Sequence, residues 1–279
     1  IAGNVVDGTG LHGAYVDGGS SAIASNAFYS CGQSGIRADR CEGLSVRGNE
    51  VDAPAENGVS VSGGRQIDIS QNTVAAAPGV GIFAQNADKL AIAANEVSGC
   101  RSCGVFVKAC DGVAVVTNAI SAISGDDSQG VSASGCRDLE MSGNTLISCN
   151  AAGITVNGGE GRVADNEIVS PGLNGISVIS ATADVVGNAV RSAGQAGYYL
   201  FCASGSSFQG NAAEGCNLGF DVVNSHGAML ADNTVVDARL HGVAARNSDS
   251  LAVIGGLVSG GGGRGVTIAG GSAPIKGCR

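Results

Sequence analysis

Val46-Arg47-Gly48-Asn49-Glu50-Val51, then Gly58-Val59-Ser60-Val61 after a polar gap, decides the fold of this chain, because it keeps returning. Twenty-three residues on it reads Ile69-Ser70-Gln71-Asn72-Thr73-Val74 with Gly81-Ile82-Phe83-Ala84, and it recurs around Asn95 and Asn118. The repeat asparagines are Asn4, Asn26, Asn49, Asn72, Asn95, Asn118, Asn144, Asn166, Asn188, Asn211 and Asn233, separated by 22, 23, 23, 23, 23, 26, 22, 22, 23 and 22 residues. Self-similarity at such a period marks a solenoid.

Each unit carries three short apolar patches. Leu90-Ala91-Ile92 lies just before an asparagine, Val97 follows two positions after it, and Val105 and Val107 follow the glycine nine positions on. Alternation with period two is strand patterning, and no unit holds a run of helical period. Three strands per unit, each stacked on its counterpart in the next, predict an all-β, single-stranded parallel β-helix. About twelve coils of 22–23 residues at a strand spacing of roughly 4.8 Å give a rod about 55–60 Å long. Stacked on itself, the asparagine becomes a structural ladder, since Asn accepts left-handed backbone and its amide can bond neighbouring corners. The repeat glycine is expected at a tight corner that requires positive φ.

The Gly-Asn-x-Val unit and the Gly-Ile/Val-x-Val strand resemble the right-handed parallel β-helix superfamily, the pectate-lyase-like and NosD-like repeat proteins. The resemblance spans essentially the whole chain and implies the right-handed form of the fold. The superfamily includes lyases, hydrolases, epimerases, tailspikes and scaffolds, so the resemblance leaves the activity open.

A net charge of −9 and a pI near 4.7, with no Lys/Arg cluster, argue against nucleic acid and anionic membrane surfaces as partners. No apolar run reaches the ~18 residues that would span a bilayer. Residues 1–279 read as one repeat domain. Ile1-Ala2-Gly3-Asn4 matches Val46-Arg47-Gly48-Asn49 in mid-coil, so capping segments are expected to lie outside this stretch, in a longer protein. Of the ten cysteines, Cys31, Cys100, Cys149 and Cys216 each fall five residues after a repeat asparagine, and Cys41, Cys110 and Cys136 share a second register. That pattern suits small buried side chains at corners rather than a disulfide framework or a zinc site. His12 and His241 share a register about 48 Å apart along the rod, so they read as corner residues rather than partners in catalysis.

Residues that alternate with the inward ones on the post-glycine strand should face solvent. That outer face collects Phe83, Phe106, Tyr199 and Phe201 from a chain with few aromatics. Outward aromatics suit sugar stacking, an oligomer interface or contact with a flanking segment. Phe83, Gln85, Phe106, Gln129 and Asn157 are the expected substrate contacts. The one long coil places its extra residues in Ser121–Gly130, where Asp126 and Asp127 adjoin the same strand. Insertions in solenoids concentrate on the binding face, and two carboxylates there could act as acid and base or hold calcium; no other cofactor is called for.

Gly-Asp-Asp before a strand is similar to the polygalacturonase signature, yet Phe106, Lys108, Ala152-Gly153-Ile154 and Ile176-Ser177-Val178 replace the rest of that pattern. A lyase assignment instead makes Asp126 and Asp127 the carboxylate-binding pair and Lys108 the base. The sequence therefore points to an extracytoplasmic protein that binds or processes an acidic or neutral polysaccharide. The competing class is a non-catalytic scaffold, adhesin or export accessory.

Overall fold

The computed structural model describes residues 1–279 and winds them into twelve coils of parallel β-helix, with strands from Val5–Asp7 to Ile275–Lys276. Three faces run the length of the rod. The post-asparagine face is one twelve-stranded parallel sheet from Val5–Asp7 to Leu257–Ser259. The post-glycine face runs from Ala14–Asp17 to Arg264–Ala269, and the pre-asparagine face from Ala22–Ala24 to Ile275–Lys276. Register follows the sequence period, so that Val97 pairs with Val74 on one side and Ile120 on the other. The long coil shifts nothing, because Ala119 still pairs with Thr145 and Cys103 with Gln129.

Alternation explains which side chains go inward. In Cys103–Lys108, Val105 and Val107 are fully buried, Phe106 is half-buried and Lys108 is exposed. The inward residues merge into one continuous core of 64 side chains, so no coil has a core of its own. Burying a Val, Leu or Ile is worth about 1.5–3 kcal/mol, and it requires a neighbouring coil on each side. Near the far end the column widens to take Tyr198, stacked on Phe220 at 4.7 Å and edge-on to Phe208. The Tyr198 hydroxyl is satisfied by the carbonyls of Asn188 and Ala212.

The asparagine ladder is continuous. From Asn4 to Asn211 each side-chain amide donates to the Oδ1 of the next asparagine, at 2.8–3.0 Å. The same Oδ1 also accepts the preceding asparagine's backbone N–H, as Asn118 does from Asn95. The ladder stops at Asn233, where the next coil offers Gly256.

Two corner expectations are corrected. The left-handed residue is not the asparagine but the one before it: Ser25, Gln71, Ala94, Thr117, Asp165 and Asp232 all have φ of 52–56°. The asparagine is selected for its amide alone. The repeat glycines likewise lack positive φ. A Cβ on Gly81 would lie 2.3 Å from Val97 Cγ1 and 2.6 Å from the Gly104 carbonyl oxygen, and Gly58, Gly104 and Gly153 meet the same pair of obstacles. Glycine is required there by close approach, not by backbone conformation.

All ten cysteines are free, and all but Cys202 and Cys278 are buried. Burial pushes the Cys100 thiol up to about 11 and Cys149 up to about 12. The three histidines are corner staples. Nδ1 of His12, His226 and His241 accepts the backbone N–H of Ser34, Asp249 and Arg264 in the following coil. Asn57 and Asn174 do the same for Val80 and Ala196 with Oδ1.

Candidate saccharide-binding face

The post-glycine face carries side chains of uneven height. Ser60, Ser132, Thr155, Ser177 and Ala244 were expected to face solvent but are buried. A hydroxyl or methyl barely rises above the coils stacked on either side, so these residues form a low floor. Taller groups stand on it in clusters.

One cluster is Phe83, Gln85, Phe106 and Lys108. The two phenylalanines pair in register, with ring centroids 5.7 Å apart and planes tilted by 52°. Gln85 and Lys108 pair beside them, and Gln85 donates to the Ser62 hydroxyl at 3.1 Å. Asn157 is exposed farther along the same row, in register with Ser134.

The insertion is a tight turn at the edge of this face. Ser128 Oγ donates to the Gly125 carbonyl at 2.7 Å, Asn150 caps that carbonyl from the next coil at 3.0 Å, and Gln129 Nε2 returns to the Asp127 carbonyl at 2.8 Å. Asp126 and Asp127 are exposed at the tip. The structure does not bring Lys108 to them. Lys108 pairs with Ser134, five residues beyond Gln129, and Asp127 lies before Gln129. At about 3.3 Å per residue the ammonium stem and the carboxylates start at least ~16 Å apart, at opposite ends of the strand. Gln129, half-buried, goes with the turn; Phe83, Gln85 and Phe106 go with Lys108.

A more enclosed arrangement lies farther along. Asn174, Gln195, Ala196, Tyr199, Asn217, Leu218, Asp221, Leu240 and Arg246 line an open groove of about 430 Å³. Tyr199 pairs in register with Asp221 and stacks against Phe201 at 6.3 Å with planes 14° apart. Arg246 reaches diagonally back one coil, its Nη2 2.8 and 3.0 Å from the two Asp221 oxygens. Burial pushes the Asp221 carboxyl up, against the pull of Arg246, and burial followed by the Asp221 charge raises the Tyr199 phenol.

The amides line the corner edge of this groove. Asn174 spends its Oδ1 on the Ala196 N–H, which leaves its NH₂ for a ligand. Asn217 spends its NH₂ on the Gly194 carbonyl, which leaves its Oδ1. Tyr199 and Phe201 were legible as outward aromatics. The ion pair and the amides were not, since they belong to different coils and become neighbours only through stacking. The usable signal was Asp221 and Arg246 in the outward register of consecutive coils.

A solenoid of this shape defines a class of repeat protein, and the sequence agrees. The right-handed β-helix region family matches residues 12–161 and 129–279, and the chain belongs to that family. No functionally curated protein sequence matches it.

Among solved structures, DFA-IIIase from Arthrobacter chlorophenolicus A6 is similar at 13% identity and TM-score 0.61, over 82% of this chain and 68% of that one. The A-module of the Azotobacter vinelandii mannuronan C-5 epimerase AlgE6 is similar at 14% identity and TM-score 0.58, covering 97% and 90%. A mutant of the periplasmic alginate epimerase AlgG follows at 11% identity and 0.59, covering 92% and 77%. These neighbours are carbohydrate-processing β-helix enzymes, and at such identity they share the fold. The structure contains no helix long and apolar enough to cross a membrane.

Proposed function

We propose that this protein binds a polysaccharide along its post-glycine face, outside the cytoplasm, with the groove at Tyr199, Asp221 and Arg246 as the principal subsite. The observation that carries this reading is the convergence of a half-buried phenol, an ion pair and three carboxamides in one open cleft. Sugars are bound by an aromatic ring against their C–H face and by planar polar groups that fix their hydroxyls. Phe83, Phe106, Gln85 and Lys108 form a second platform on the same face, with Asn157 in the row between the two.

The insertion extends the groove's edge. The corner position of Gln129 is followed in the next two coils by Ala152 and Asn174, so the turn lies about 10 Å along the rod from the groove. Asp126 and Asp127 are accordingly proposed as the place of any cation binding or acid–base chemistry on a chain lying along that edge. Lys108, across the face, is proposed as a contact to a second stretch of the same polysaccharide.

The test is a glycan array on the purified chain, followed by titration of the best ligand with Tyr199→Ala and Phe106→Ala variants. Tyr199→Ala should weaken binding at least tenfold, with unchanged circular dichroism. A chain that binds no glycan would support the scaffold or adhesin assignment instead.

A further inference from the structure

We infer that the groove takes an uncharged oligosaccharide rather than a polyuronate; this rests on the saccharide-binding reading above and narrows it. The argument begins with charge. Of the nine lining residues only Asp221 and Arg246 carry formal charge, and they are already matched in a two-oxygen contact. A uronate reaching the free Nε and Nη1 donors of Arg246 would meet a guanidinium whose charge Asp221 already offsets, and would sit beside that carboxylate. The Asp221 side chain is only 14% exposed, so water would screen the repulsion poorly. Neither Arg239, the residue before Leu240, nor Arg264, in register with His241 one coil on, is part of the lining.

The remaining polar groups suit hydroxyls. Along the corner edge Asn174 offers a donor, Asn217 an acceptor, and Gln195 between them is exposed and offers both. A sugar hydroxyl both donates and accepts, whereas a carboxylate only accepts and would leave the Asn217 oxygen facing another acceptor. The half-exposed guanidinium and the half-buried carboxylate complete the set, one donating to and one accepting from adjacent hydroxyls. Longer-range electrostatics act the same way. The chain carries a net charge of −9, and Asp126 and Asp127 lie on the same edge two coils away, so a polyanion is repelled on approach.

The experiment compares neutral oligosaccharides with oligouronates of equal length by calorimetric titration at low and physiological salt, without added calcium. The expected result is at least a tenfold preference for a neutral ligand, with affinity little changed by salt. Asp221→Asn, which releases Arg246, should weaken the neutral ligand and raise uronate affinity at least tenfold, narrowing or reversing the preference. Arg246→Gln should weaken the neutral ligand and leave the uronate weak; this variant also serves if Asp221→Asn folds poorly. An oligouronate that binds the native chain as tightly as any neutral ligand, loses affinity with salt and is abolished by Arg246→Gln would overturn the inference while leaving saccharide binding intact. Failure of every saccharide to bind would remove the binding proposal itself.

Discussion

Asn95→Ala should destabilise the protein by about 3 kcal/mol, far more than the same change at Asn4, and the difference comes from the ladder. Asn95 Nδ2 donates to the Ile69 carbonyl at 2.8 Å and to Asn118 Oδ1 at 3.0 Å. Its Oδ1 accepts from the Asn72 backbone N–H at 2.9 Å and from Asn72 Nδ2 at 3.0 Å. Alanine removes all four bonds. Asn72 Nδ2 keeps the Val46 and Ser70 carbonyls, and Asn118 Oδ1 keeps the Asn95 backbone N–H. The Asn72 backbone N–H has no such reserve, and the Ile69 carbonyl loses a donor. An orphaned buried polar group costs about 1–3 kcal/mol, and the remaining exchange of bonds adds roughly 1 kcal/mol.

Asn4 sits exposed, its amide donates only to Asn26 Oδ1 and the Ala2 carbonyl, and its own Oδ1 accepts no hydrogen bond. Its loss should cost under about 1 kcal/mol. Urea titrations of both variants, read against the native chain at constant m-value, measure the difference. The double variant Asn72→Ala/Asn95→Ala should cost less than the sum, because the second change removes a link already broken. Equal costs for Asn95→Ala and Asn4→Ala, or full additivity of the pair, would refute the ladder as a source of stability.

The glycine correction predicts that Gly81→Ala costs about 2–3 kcal/mol by overpacking against Val97 and Gly104. Gly99→Ala should cost about 1 kcal/mol, because Gly99 has φ of 66° but its Cβ would meet only Ala76 atoms at 3.6–3.7 Å, and Ala53, Ala76 and Ala122 occupy the same register. His241→Asn should retain most of the stability that His241→Ala loses, since Asn174 makes the equivalent staple with Oδ1; equal melting temperatures for the two variants would count against it. Native thiol titration should show Cys202 reacting first, and the denatured, unreduced chain should reach a count of ten. Above pH 9 an unfolded thiol ionises while Cys100 and Cys149 stay protonated to about 11 and about 12. Stability is therefore full below pH 9 and falls as pH rises, by about 1.4 kcal/mol per thiol per unit until each folded pKa is reached. Cys100→Ala with Cys149→Ala should flatten that decline, and a slope unchanged by the double variant would show that other groups cause it.

The sequence by itself determined the coil and its contents. A period of 22–23 residues fixes the stacking register, and alternation within each patch fixes which of Val105, Phe106, Val107 and Lys108 turns inward. Both are local properties repeated along the chain, and stacking only multiplies them. The asparagine ladder and the free, buried cysteines were legible for the same reason, since each rests on a residue meeting its own equivalent in the next coil.

The chemistry of the corners and of the outer face was not legible. Gly81 is needed because Val97 and Gly104 crowd it, which no spacing reveals. Asp127 and Lys108 are close in sequence terms yet stand at opposite ends of a strand. Asp221 and Arg246, 25 residues apart, meet because a long guanidinium side chain reaches across one coil. Periodicity fixes where a backbone goes. The heights and reach of unlike side chains on adjacent coils decide where a groove forms, and only the tertiary structure brings those side chains together.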